Sequence, residues 1–170
     1  MELKEYIQNE LNGMKRTTGR VLKDLVQSDY AWRPASGCNS IGLILFHVAK
    51  SEDSFLARIQ GQPMLWDSDK WYERLKVSQS EAGSHYTVDQ VNAFPCPDYK
   101  ELNAYFETVR ARTLEYLGGL SSADLGKKIT VLPFPGETTI GSMLALIVSH
   151  SIGHFAEMSY LRGILRGMDK

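Results

Sequence analysis

The sequence predicts an all-α protein, a four-helix bundle with a long ordered connection between helices two and three. Two observations carry that reading. Four long segments repeat apolar residues at threes and fours, the period of a helix with one buried face. No window alternates apolar and polar residues for long enough to argue a buried sheet. With 170 residues, 43% hydrophobic and 23% charged, the chain suits one self-sufficient domain.

The first helix is expected from about Leu3 to Val26, on the stripe Leu3, Ile7, Leu11, Met14, Thr18, Val21 and Leu25. The second opens at Ser40, an N-cap residue, and runs to Gln60, where Gly61 and Pro63 stop it. Its stripe is Ile41, Ile44, Leu45, Val48, Phe55 and Ile59. The connection from Gly61 to Pro97 is long for a compact domain but carries Trp66, Trp71, Tyr72, Tyr86 and Phe94. Such a segment packs over the bundle, with a short helix around Ser68–Leu75, as the wall or lid of a pocket, as a structural cap or as a dimer contact. The third helix starts near Asp98 and ends at Gly118-Gly119. A short extended piece at Ile129–Phe134 precedes the fourth, Thr139 to Arg166, which Gly167 closes.

The net charge of -1 gives no electrostatic case for nucleic acid or an anionic membrane. The apolar runs are broken by His47, Lys50 and Glu52 and by His150, His154 and Glu157, so neither spans a bilayer cheaply. The amino-terminal stretch lacks the basic start and apolar run of a signal peptide, and the expected location is cytoplasmic. Cys38 and Cys96 form no C-x-x-C motif, and in a reducing compartment they are expected free.

Three of the four histidines lie in apolar helical segments, where polar side chains need a partner. His150 and His154 are one turn apart and share a face. They continue the line Met143, Ile147, His150, His154, Glu157, Leu161, which points inward. His47 sits about two turns into its own helix. Three convergent neutral imidazoles suit a divalent metal, zinc, nickel, copper and iron(II) alike, leaving an open position for a water, thiolate or other anion. The competing reading is three core histidines bonded to nearby carbonyls. Glu157 is placed to orient a ligand imidazole or reach the open side of the metal, or else to pair with Arg162. Glu52 and Asp53 read as solvated charges, with Glu52 alternatively supporting a ligand. His85, between polar residues, reads as exposed. Gly153 is expected to permit a close approach by a helix or ligand. Ser151 stands where a zincin has its glutamate, and no G-x-S-x-G elbow or glycine-rich phosphate loop is present.

Several stretches together resemble the DinB/YfiT-like family of four-helix-bundle proteins. They are Trp32-Arg33-Pro34, Asn39-Ser40-Ile41-Gly42, Phe46-His47-Val48-Ala49, Ser51-Glu52-Asp53, Gly61-Gln62-Pro63, Thr139-Ile140, His150-Ser151-Ile152-Gly153-His154 and Tyr160-Leu161-Arg162-Gly163. The resemblance implies a metal site of His47, His150 and His154, a zinc or nickel ion, and a homodimer. It further implies a low-molecular-weight-thiol S-transferase acting on a small thiol such as bacillithiol or mycothiol and an electrophile. A metal-dependent hydrolase and a non-catalytic, metal-binding stress dimer are the alternatives. Where many relatives carry Gly-Gln after the last histidine, this chain has Glu157-Met158, an added carboxylate beside the site.

Overall fold

The computed structural model describes residues 2–167. Four long helices, α1 (Leu3–Leu22), α3 (Ile41–Gln60), α7 (Tyr99–Gly119) and α9 (Ile140–Arg166), form the predicted bundle. α3 packs against α7 and α9, and α1 packs against α9 and α7. α3, α7 and α9 are capped at the residues where the sequence starts them. Ser40 Oγ accepts from Leu43 N at 3.1 Å, Asp98 Oδ1 from Lys100 N at 2.9 Å, and Thr139 Oγ1 from Ser142 N at 3.1 Å. Gly61 ends α3 in the left-handed region at φ 63°.

α1 stops four residues before the expected Val26. Asp24 turns the chain at φ 59°, and a separate helix α2 (Gln27–Ala31) begins. The carbonyls of Val21 and Lys23 at this break accept from Arg162 Nη1 at 2.9 and 2.8 Å. Arg162 therefore caps another helix, and Arg166 pairs with Asp29. Close to α2, Gly42 brings α3 so near that an added Cβ would lie 2.9 Å from the Tyr30 carbonyl oxygen and strike Cys96 Sγ.

The segment 61–97 is ordered over the bundle, as expected, but holds three short helices, α4 (Leu65–Ser68), α5 (Trp71–Leu75) and α6 (Val88–Ala93). Asp53 anchors it. Its carboxylate accepts from Leu65 N, Trp66 N and the Tyr105 hydroxyl, each at 2.9 Å. Trp66 and Trp71 are buried beneath the segment. After α8 (Ser122–Leu125), the extended piece reduces to β1 (Lys128–Ile129). It pairs antiparallel with β2 (Thr138–Thr139), Lys128 opposite Thr139.

The reading of Glu52 and Asp53 as solvated charges is corrected by their burial, 1% and 0% exposed. Glu52 is met by Arg110 of α7 in a bidentate pair, Nε to Oε1 at 2.9 Å and Nη2 to Oε2 at 2.7 Å. The same guanidinium donates to Leu11 O on α1 at 3.2 Å and to Ser151 Oγ on α9 at 3.3 Å. One buried cation thus touches all three other long helices. Among the described residues no helix is long and apolar enough to cross a membrane.

Candidate metal centre

His47, His150 and His154 meet on the half-buried inner face where α3 packs against α9. Their ligand atoms all lie within 4.8 Å of one another, and no other group of three such residues converges among the described ones. His47 Nε2 and His150 Nε2 are 3.0 Å apart, and the three rings pack edge to face or tilted.

Two of the three rings, His47 and His154, have a hydrogen-bond partner on their outer nitrogen. His47 Nδ1 lies 2.7 Å from the Gly83 carbonyl oxygen, which can only accept, so Nδ1 carries the hydrogen and Nε2 keeps its lone pair. Gly83 sits at φ 75°, and an added Cβ would lie 2.9 Å from the Lys50 side chain, so glycine lets this carbonyl reach the ring. His154 Nδ1 is 2.9 Å from Glu157 Oε2, so Glu157 orients the His154 ring and does not join the convergent set. Burial, and then the neighbouring His154 and His47, holds His150 down at about 4. Burial lowers His47 too, against the opposing bond to Gly83. Near neutral pH these two rings are uncharged, the form that binds metal.

The donor set fits a divalent ion. Tetrahedral zinc at its usual bond lengths places nitrogen ligands about 3.3 Å apart. The observed set offers one ring nitrogen from each of three histidines within 4.8 Å of one another, two of them 3.0 Å apart, and three ligands would leave a tetrahedral ion one position for a small molecule.

Two cavities meet at the cluster. The smaller, about 220 Å³, is bordered by His47 and His154 with Leu43, Ile44, Tyr86 and Val91. The larger, about 710 Å³, is bordered by His47 and His150 with Lys50, Ser54, Phe55, Arg58, Met64 and Phe134. His85 borders both, is exposed as expected and lies outside the ligand set. The expectation for Gly153 is corrected. It is exposed, and a Cβ there would meet nothing within 4 Å, so no neighbour approaches it. Sequence reasoning missed Lys50 and Arg58 as wall residues. Their spacing of three and eleven from His47 on one helix was the available signal.

The comparisons agree with this architecture. The crystal structure of a conserved protein from Enterococcus faecalis superposes with a TM-score of 0.84 at 18% identity, covering 98% of this chain and 99% of that one. No functionally curated protein matches. The sequence matches the DinB superfamily over residues 10–158. That match spans most of the chain, all of α3 and α7, the greater part of α1 and α9, and the three histidines, and on it the chain belongs to the DinB superfamily.

Proposed function

We propose that His47, His150 and His154 hold one divalent ion, zinc or nickel, and that the protein is a thiol S-transferase joining a small thiol to a small electrophile. The observation that carries this reading is the junction of two cavities at one histidine cluster. His47 borders both, His154 the smaller and His150 the larger. Transfer between two molecules needs a berth for each, whereas hydrolysis needs one berth and a water.

A divalent ion with three neutral ligands supplies Lewis acidity, lowering the pKa of a thiol at its open position. The chain's own residues set up the rest. Gly83 and Glu157 hold the rings of His47 and His154 in one orientation. Burial keeps His47 and His150 neutral. Leu43, Ile44 and Val91 give the smaller cavity an apolar lining for an electrophile. Neither Cys38 nor Cys96 borders either cavity, so the thiol comes from outside the chain. Burial also pushes the Cys96 thiol up to about 11, which makes it a poor nucleophile. The resemblance extends the proposal to a cytoplasmic homodimer.

Metal analysis of the purified protein is expected to give about one divalent ion per chain, a stoichiometry that one three-ligand set implies. Metal-free, zinc-loaded and nickel-loaded protein are then assayed with several thiols against a generic electrophile. Metal-dependent conjugation supports the reading. Full metal occupancy in His150→Ala refutes the site. Turnover without any thiol, rising near neutral pH, makes the protein a hydrolase instead.

A further inference from the structure

One face of α3 runs the length of the larger cavity. His47, Lys50, Ser51, Ser54, Phe55 and Arg58 follow at helical spacing and all border it. Eleven residues of helix carry the face about 16 Å from the metal ligand to Arg58. The stripe is cationic. Lys50 is buried against the Trp66 ring at 3.7 Å and donates to the Glu81 carbonyl. Arg58 is exposed, donates to the Leu132 carbonyl and forms no ion pair with a carboxylate among the described residues. The acidic residue on this cavity's lining is Glu81, set against two cations. A divalent ion on three neutral imidazoles would add its full charge at the opposite end.

We propose that the larger cavity is the thiol berth and that it selects a carboxylate-bearing thiol. The sulfur lies at the histidine end, and a carboxylate is held by Arg58 with help from Lys50 and the Ser54 hydroxyl. Phe55, Met64 and Phe134 flank the aliphatic part between them. A guanidinium with free N–H groups is the natural donor for a planar carboxylate. An uncharged thiol of the same size leaves Arg58 without a carboxylate partner and gains less from the field of the site. The smaller, mainly apolar cavity then falls to the electrophile. The proposal rests on the transferase reading and adds the class of thiol.

The test uses calorimetry on zinc-loaded protein with three probes: glutathione, its diethyl ester and S-methylglutathione. The free acid is expected to bind on the order of tenfold more tightly than the diester, the scale of one charge-assisted contact. In Arg58→Gln that preference disappears while zinc content, circular dichroism and diester affinity stay as in the parent. S-methylglutathione reports the carboxylate berth with the thiol blocked. If it binds in an Arg58-dependent way and no thiol ever turns over, the berth stands and the transferase reading falls. Equal affinity for acid and diester, an equal loss for both in Arg58→Gln, or no binding of any probe overturns the berth. Thiol turnover that persists in any of those cases leaves the transferase reading intact.

Discussion

Replacing Arg110 by methionine removes the side chain that ties α7 to the other three long helices at once. The magnitude follows from its surroundings. The guanidinium and the Glu52 carboxylate are 2% and 1% exposed, so the variant leaves a buried carboxylate without its cation. Breaking such a pair from one side costs about 3–5 kcal/mol. At roughly 2–4 °C per kcal/mol for a chain of this size, the midpoint of thermal unfolding falls by about 6–20 °C. Removing both charges together, Glu52→Leu with Arg110→Met, is a different perturbation. The desolvation of two ions is relieved and the space is refilled by apolar atoms, so stability returns to within about 2 kcal/mol of the parent. The assay is urea unfolding followed by circular dichroism, on metal-free samples of the parent, both single variants and the double. A single variant within about 1 kcal/mol of the parent would refute the reasoning. So would a double variant whose loss equals the sum of the singles.

Four further outcomes follow from the same geometry. His150→Ala lowers bound metal from about one ion per chain to a small fraction, read by elemental analysis, because two imidazoles no longer close the set. Glu157→Ala weakens zinc affinity about 10- to 100-fold in a chelator competition while the unfolding midpoint of the metal-free protein holds, since Glu157 is exposed and acts on His154 alone. His150 is held near 4, below its ordinary value of 6.5, so the unfolded chain binds the extra proton. That contribution to stability is full above pH 6.5 and is lost as pH falls toward 4; because the ring is only partly buried, it amounts to about 1–2 kcal/mol. Urea unfolding of metal-free protein at pH 7 and pH 4.5 measures it, and His150→Gln flattens the difference. Gly42→Ala drives a methyl against Cys96 and the Tyr30 carbonyl and destabilises by about 1–3 kcal/mol in a thermal melt.

The four helices were legible because each carries an apolar stripe at helical spacing. Ser40, Asp98 and Thr139, where the sequence starts the last three, accept the capping hydrogen bonds. The end of α1 was not legible. Leu25 and Val26 continue the apolar pattern, but Asp24 turns left-handed and Arg162 takes the freed carbonyls from α9. The histidine trio was legible for the same reason as the helices: His150 and His154 fall on the inward line of α9, and the structure brings their ring atoms beside those of His47. Glu52 was misjudged because a carboxylate in an apolar run is solvated or buried according to its partner. Arg110 lies 58 residues away, where no local pattern links the two. Gly153 was misjudged because the same missing side chain serves a close approach or an open surface, and sequence alone does not choose.

The aromatic connection has a physical task that its composition only hinted at. Asp53, buried on the inner side of α3, caps α4 and so sets Trp66 in place. Trp66 Nε1 donates to Gln79 O at 2.9 Å and its ring carries the Lys50 ammonium, which in turn donates to the Glu81 carbonyl. Two residues on, the Gly83 carbonyl receives the His47 Nδ1 proton. The route runs from a buried carboxylate in the core to the tautomer of the His47 ring, through hydrogen bonds, one ring contact and the short backbone step from Glu81 to Gly83. α3 therefore divides its faces. Glu52 and Asp53 lock the helix to the bundle and to the connection, while His47, Lys50, Ser54 and Arg58 face the cavity. A cavity wall that must hold a ligand at a fixed distance from a metal needs a rigid support, and a helix locked from behind by a buried ion pair provides one. This accounts for a costly buried charge pair one turn from the site, where an apolar pair would have packed as well but held the helix less specifically.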